Sequence, residues 1–257
     1  MAHDRENEGG GPAPHPGARL LLHSGGLFNA RVYCVADDAA GACHVEKDFS
    51  SSPWLVRNTI GRFLIWREAW ILRALRRRTD IVPDGVRRLS PFCLREDFCP
   101  GRTLRQLQYD IAPPGVPPEE ADLSGALPRA FFETLRAGVA ACHRARFVHL
   151  DLHNARNIIA GADGHPVLID WQSALPTVLF LPPLRRALER IDLAGVYKIW
   201  ERFRPADLSN DERRFLRRSR FVRRHFWIPR LYWPGKGARP SPPSHTSGGG
   251  NAPAVLQ

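Results

Sequence analysis

"VHLDLHNARNIIAGADGHPVLIDW" spans Val148–Trp171. Its apolar runs, "IIA" and "PVLI", read as short strands bounded by turn-forming residues. The polar side chains stand where these strands begin or end. His149, Asp151, His153, Asn154 and Asn157 precede the first, and Asp170 closes the second. Loop residues held by a rigid scaffold are where binding and catalytic groups concentrate. Asp151 and Asp170 are therefore candidate functional residues. The competing readings are a turn cap for Asp151 and a structural strand-end aspartate for Asp170.

Upstream, "IGRFLIWREAWILRALRRR" (Ile60–Arg78) carries apolar residues at helical spacing. Leu64 lies four residues before Glu68, Ile71 and Leu72 three and four after it, and Leu75 seven after. That spacing puts Glu68 on the apolar face, where a carboxylate is costly unless it meets a cation. Further upstream, "ARVYCVADDAAGACHVEKDF" (Ala30–Phe49) predicts a β-hairpin turning at Asp37–Gly41. Lys47 sits near its end, 21 residues before Glu68. A strand over Ala18–Leu22 leads into Ser24-Gly25-Gly26. "FCLREDFCPGRTLRQL" (Phe92–Leu107) predicts a strand, a Pro-Gly break and a helix, and Ala112–Ala126 a loop. "LPRAFFETLRAGVAACHRAR", with Pro128 near its start, and "LRRALERIDLAGVYKIWERF" are two further helices.

The 257 residues suffice for one large domain or two small lobes, and 43% hydrophobic content supports a core. A net charge of +11, from 37 basic and 26 acidic residues, suggests an anionic partner. Only three of the basic residues, Lys47, Lys198 and Lys236, are lysines. Five scattered cysteines without a CxxC pair argue against a zinc site and against a full disulfide framework, and fit a reducing compartment. The start of the chain lacks the apolar region of a secretory signal, and no apolar run reaches transmembrane length. The expected location is cytoplasmic, with peripheral attachment to the inner face of the cytoplasmic membrane.

Phosphoryl transfer from ATP requires a lysine on the phosphates and a carboxylate that orients it. It also requires an aspartate near the acceptor hydroxyl, and Asn and Asp ligands for magnesium. Lys47, Glu68, Asp151, Asn157 and Asp170 occur in that order. "HLDLHNARN" resembles the catalytic loop of the protein-kinase-like superfamily, and "VLIDW" its metal-binding DFG strand. "REDFCPGRTLRQL" is similar to its hinge, with an acidic residue, Glu96, ahead of the P-G turn. Within the superfamily the chain looks most like the bacterial lipopolysaccharide core kinases, which phosphorylate Kdo or heptose sugars. Leu150 occupies the position of the arginine of regulated protein kinases. Only 22 residues separate Asp170 from Asp192, with no A-P-E motif between them. The resemblance covers about residues 18–205.

The resemblance implies a two-lobed α+β fold, with a β-rich N-lobe over 18–98 and a larger helical C-lobe over 99–234; the Gly- and Pro-rich composition of the ends predicts a disordered leader (1–17) and tail (235–257). It implies ATP and Mg2+ as cofactors. Lys47 would hold the phosphates, oriented by Glu68, and Asp151 would serve the acceptor hydroxyl. Gly25, Gly26 and Glu96 would contact the nucleotide, and Asn157 and Asp170 the metal. His149 is expected to hold the loop, and His153 to lie near the substrate. Two features depart from the pattern. Asn157 follows Asp151 by six residues where the family has five, leaving Asn154 as the alternative ligand. "HSGGLFNARVY" has an adjacent glycine pair in place of spaced glycines, with Arg31 as a further phosphate contact. Both departures keep a pseudokinase scaffold open as an alternative, as is a protein or another small-molecule acceptor.

The expected partner is a lipid-linked sugar. "DERRFLRRSRFVRRHFWIPRLYWPGK" (Asp211–Lys236), preceded by Ser209 and Asn210 as caps, predicts a basic amphipathic helix. It would meet an anionic membrane surface, or pack as the last helix of the C-lobe with a solvated basic face. No RNA-binding motif accompanies it, which argues against nucleic acid.

Overall fold

A computed structural model of the chain describes residues 17–26, 29–37 and 42–225. The expected leader up to Pro16, the tail, and the hairpin tip at Asp38–Gly41 lie outside the described residues. Strands β1 (Arg19–His23), β2 (Arg31–Ala36) and β3 (Cys43–Asp48) form an antiparallel meander. Next come a helical turn α1 (Trp54–Val56), a π-helical stretch (Arg57–Gly61) and the long helix α2 (Arg62–Arg76). Strands β4 (Arg87–Arg88) and β5 (Cys93–Asp97) complete a five-stranded sheet of order β1-β2-β3-β5-β4. β3 is the central strand, with Lys47 opposite Val32 on one side and Leu94 on the other.

The helical part begins with β6 (Gly101–Thr103) and α3 (Leu104–Ile111). Thr103 caps α3 by accepting from the Gln106 N–H at 3.2 Å, and Gln106 Oε1 accepts from the Thr103 N–H at 2.9 Å. The T-x-x-Q spacing encodes that reciprocal cap. Helix α4 (Arg129–Arg144) starts after Pro128. Then follow β7 (Phe147–Val148), β8 (Ile158–Gly161), β9 (Pro166–Leu168) and β10 (Leu175–Pro176). β6, β8 and β9 form one small sheet, and β7 and β10 another. Helices α5 (Pro182–Phe203) and α6 (Asn210–His225) close the order. Prolines at the first turn of α5 occupy positions whose N–H groups have no intrahelical partner.

The α+β expectation holds: a sheet with one long helix precedes a mostly helical part. The predicted helix over Ile60–Arg78 is α2 with its π-helical lead-in, and the predicted hairpin is β2–β3. One core runs through both parts, from Ala30, Phe49 and Leu72 to Phe132, Trp171, Trp200 and Leu216. Gly138 lets α4 lie directly on Ile81, because a Cβ there would stand 2.5 Å from Ile81 Cδ1.

The basic segment begins as a packed last helix. Ser209 and Glu212 cap α6 reciprocally, Leu216 is buried, and Phe215 meets Tyr197 edge-on at 5.9 Å. The aromatic end predicted at Phe226 and Trp227 lies outside the described residues. No helix among the described residues is long and apolar enough to cross a membrane.

Candidate active site

Lys47 and Glu68 meet as the spacing predicts. Lys47 is 5% exposed and Glu68 fully buried, and Nζ donates to Oε1 at 2.6 Å. The same oxygen accepts from the Trp171 N–H at 3.3 Å. One carboxylate oxygen on α2 therefore ties the central strand to the segment following Asp170. Arg67 adds a second tie, donating to the Gln172 carbonyl.

Glu96, expected to contact the nucleotide, also reaches Lys47. Its carboxylate is buried and turned onto Lys47, with Oε1 3.2 Å from Nζ. Lys47 thus stands between two buried glutamates, with the Asp170 charge also acting on it. Burial pulls the Lys47 pKa down, but the three carboxylates outweigh it and hold the ammonium above its ordinary range. Burial pushes Glu68 up to about 7, against the pull of Lys47 and with further help from Glu96 and Asp170. One ammonium does not neutralise three carboxylates. Glu68 Oε2 and Glu96 Oε2 are both buried without a hydrogen-bond partner.

A pH effect on stability follows. Glu68 binds its proton more tightly folded than unfolded, so this contribution is full below about pH 4.5 and lost as pH rises through about 7. Urea unfolding of the ligand-free protein at pH 5 and pH 8 should show wild type losing stability relative to Glu68→Gln as pH rises, by about 1–3 kcal/mol. Parallel profiles for the two proteins would remove Glu68 as the source.

The loop between β7 and β8 folds around Asp151. Asn157 is 3% exposed, and its Nδ2 donates to Asp151 Oδ2 at 2.8 Å and to the Asp151 carbonyl at 3.1 Å. The extra residue between them is taken up in a 3-10 turn, Ala155–Asn157, capped by Asn154 Oδ1 on the Arg156 N–H. Asn157 holds the Asp151 carboxylate directly, and the Asn154 side chain also acts on it. Asn154 Nδ2 stands 3.5 Å from Asn157 Oδ1. Burial raises the Asp151 pKa; Asn157, His149 and Asn154 oppose the rise, and the Asp170 charge adds to it. Asp170 takes a left-handed backbone, φ 60°, which turns the chain sharply out of β9 and leaves its side chain exposed. Asp170 immediately precedes Trp171, whose N–H is held by the Glu68 oxygen that also holds Lys47, and its charge acts on both Lys47 and Asp151.

His149 holds the loop, as expected. Its Nε2 lies 3.0 Å from the Ile169 carbonyl, and its ring packs on Trp171 at 4.6 Å. The carbonyl of His153, expected near the substrate, accepts from Lys198 at 3.1 Å. Gly25 and Gly26 lie at the β1–β2 turn. Gly25 has φ 71°, and a Cβ there would stand 2.8 Å from the Asn29 carbonyl oxygen. Beside it Ser24, Gly26, Asn29, Arg31, Ser51 and Ser52 line an open pocket of about 250 Å3.

One anchor escaped the sequence reading. Asp192 on α5 is 1% exposed and accepts from the N–H of His149 at 2.8 Å and of Leu150 at 2.7 Å. His143 Nε2 completes the set at 3.0 Å. These bonds support Leu150 at φ 68°, an uncommon backbone for leucine. Gly195 lets α5 lie against the same loop, since a Cβ there would stand 2.7 Å from the Leu152 carbonyl carbon. Gly195→Ala should therefore push the loop backbone aside and destabilise by about 1–3 kcal/mol. A thermal melt within error of wild type would show that the contact relaxes freely. The signal available in sequence was an aspartate on the apolar face of a helix, the same signal that singled out Glu68.

No family model matches the chain, and no curated protein matches it. Among solved structures it is similar to the Rio2 kinase–ADP/Mg2+–phosphoaspartate complex from Chaetomium thermophilum, at 16% identity and a TM-score of 0.47. The match covers 74% of this chain and 58% of that one.

Proposed function

We propose that the protein is a phosphotransferase that moves the γ-phosphoryl group of ATP, with Mg2+, to an alcohol. The observation that carries this reading is the meeting of Lys47 with Glu68 beside Asp151, Asn157 and Asp170. The residues present fit the nucleotide and metal. Lys47 is a buried cation suited to a polyphosphate, and Asp170 and Asn157 offer the oxygen donors a hard divalent cation prefers. When bound, Mg2+ would supply charge neutralisation on the transferring phosphoryl group. Lys47, oriented by Glu68, would position the phosphates. Asp151, its carboxylate fixed by Asn157, would accept the proton of the acceptor hydroxyl. Its raised pKa makes it a stronger base than an exposed aspartate.

For the acceptor we propose a sugar hydroxyl of a lipid-linked lipopolysaccharide precursor, Kdo or heptose. The support is the short path from Asp170 to α5, which leaves little room for a peptide-binding platform. A protein acceptor is the other form of the same chemistry. A scaffold that binds without transferring is favoured by one feature: both Glu68 and Glu96 hold Lys47. The test is γ-labelled ATP with Mg2+, offered Kdo-lipid A or the cell's protein fraction, for wild type and Lys47→Ala. Label on the sugar, lost in Lys47→Ala, is the expected result. Label on protein alone would overturn the sugar assignment. No transfer and no nucleotide binding by calorimetry would leave the scaffold.

A further inference from the structure

The outward side of α2 is aromatic. Phe63, Trp66 and Trp70 fall at helical spacing on the face opposite Glu68, and Trp66, 49% exposed, stacks on Trp70 with centroids 6.2 Å apart. Trp54 and Leu55, just before α2, are exposed too. Between positions 54 and 78 the only acidic residue is the buried Glu68, whereas Arg62, Arg73, Arg77 and Arg78 are exposed.

This stripe does not stop at the helix. Trp70 packs edge-on against Phe147 at 5.3 Å, and Phe147 pairs with Pro176 across β7 and β10. The chain then emerges as Val178-Leu179-Phe180-Leu181, in which Leu179 is 91% exposed. One end of that loop is tied to Arg146, whose carbonyl accepts from the Thr177 N–H at 2.7 Å. The other end starts α5. Arg144, Arg146, Arg185 and Arg186, with His143 and Glu189, line an open recess of about 330 Å3 at the same place.

We propose that this face docks on an anionic phospholipid bilayer. The indoles and the leucines of the loop would enter the interfacial region, and the arginine recess would take lipid phosphates. Tryptophan favours the membrane–water boundary, and apolar burial combined with cationic flanks is what holds a peripheral protein there. A second copy of the chain is a poor occupant, because it would present the same arginines to these. The inference needs no catalytic activity. It also differs from attachment through α6, whose Phe215 and Leu216 pack inward.

The test is co-sedimentation of the full chain with phosphatidylcholine vesicles, with and without phosphatidylglycerol. Tryptophan quenching by brominated lipid provides a second readout on wild type. Binding to the anionic vesicles with quenching is expected. Trp66→Ser and Leu179→Ser, both exposed positions, should each weaken binding about tenfold while melting as wild type does. Arg144→Gln with Arg186→Gln should reduce the preference for phosphatidylglycerol, and Arg217→Gln with Arg218→Gln on α6 should leave binding unchanged. Three results would each overturn the proposal: no binding by wild type, wild-type binding by both serine variants, or a dimer dissolved by Trp66→Ser with no vesicle binding.

Discussion

Asp192→Ala is expected to cost about 3–5 kcal/mol of stability, because it strips a buried charge partner from several groups at once. The two N–H groups that Asp192 accepts, from His149 and Leu150, would be left buried and unpaired. Each such group costs about 1–3 kcal/mol. His143 would lose its partner as well. Asp192→Asn keeps the shape but has one acceptor oxygen in place of two, so its loss should be about half as large. Urea unfolding midpoints measure both. A loss below about 1 kcal/mol for Asp192→Ala would mean that the loop is held from elsewhere.

The second large effect is on catalysis. Under the proposed phosphotransfer, Asp151→Asn should lower kcat by about 10²–10⁴-fold. Nucleotide affinity should change little, since Lys47 and Glu68 keep their 2.6 Å contact. The carboxylate is replaced by an amide that cannot take a proton, and the Asn157 N–H can still donate to the remaining oxygen. Labelled-phosphate transfer gives kcat, and calorimetry gives the affinity. A variant that turns over at the wild-type rate would remove Asp151 from the chemistry. A variant that no longer binds nucleotide would mean that Asp151 acts through the fold.

The residues that the sequence brought together are those whose local pattern carried a physical cost or periodicity. Glu68 could be placed because a carboxylate at i, i+3, i+4 and i+7 spacing from leucines and isoleucines must find a cation. Lys47 could be placed because it stands near the end of a predicted hairpin strand, 21 residues before Glu68, and is one of only three lysines. The position of Asn157 was harder to read, since a one-residue insertion can bulge in several ways; here it winds into a single 3-10 turn. Glu96 was placed in the right segment, but its contact with Lys47 was not foreseen. Strand register decides which side a residue faces, and a side chain one position along would have faced away from Lys47. Asp192 lies 41 residues after Asp151, and nothing local links them; only the packing of α5 on the loop does. The link from Trp66 and Trp70 through Phe147 to the strand that leads into the Val178–Leu181 loop was equally hidden, because it depends on β7 and β10 lying side by side.

The single oxygen of Glu68 that receives both the Lys47 ammonium and the Trp171 amide acts as a latch with two bolts. Any outward swing of α2 would draw both bolts together, leaving the lysine to Glu96 alone and loosening the turn at Asp170 in one motion. Whatever leans on the outside of that helix thereby gains leverage over its inside.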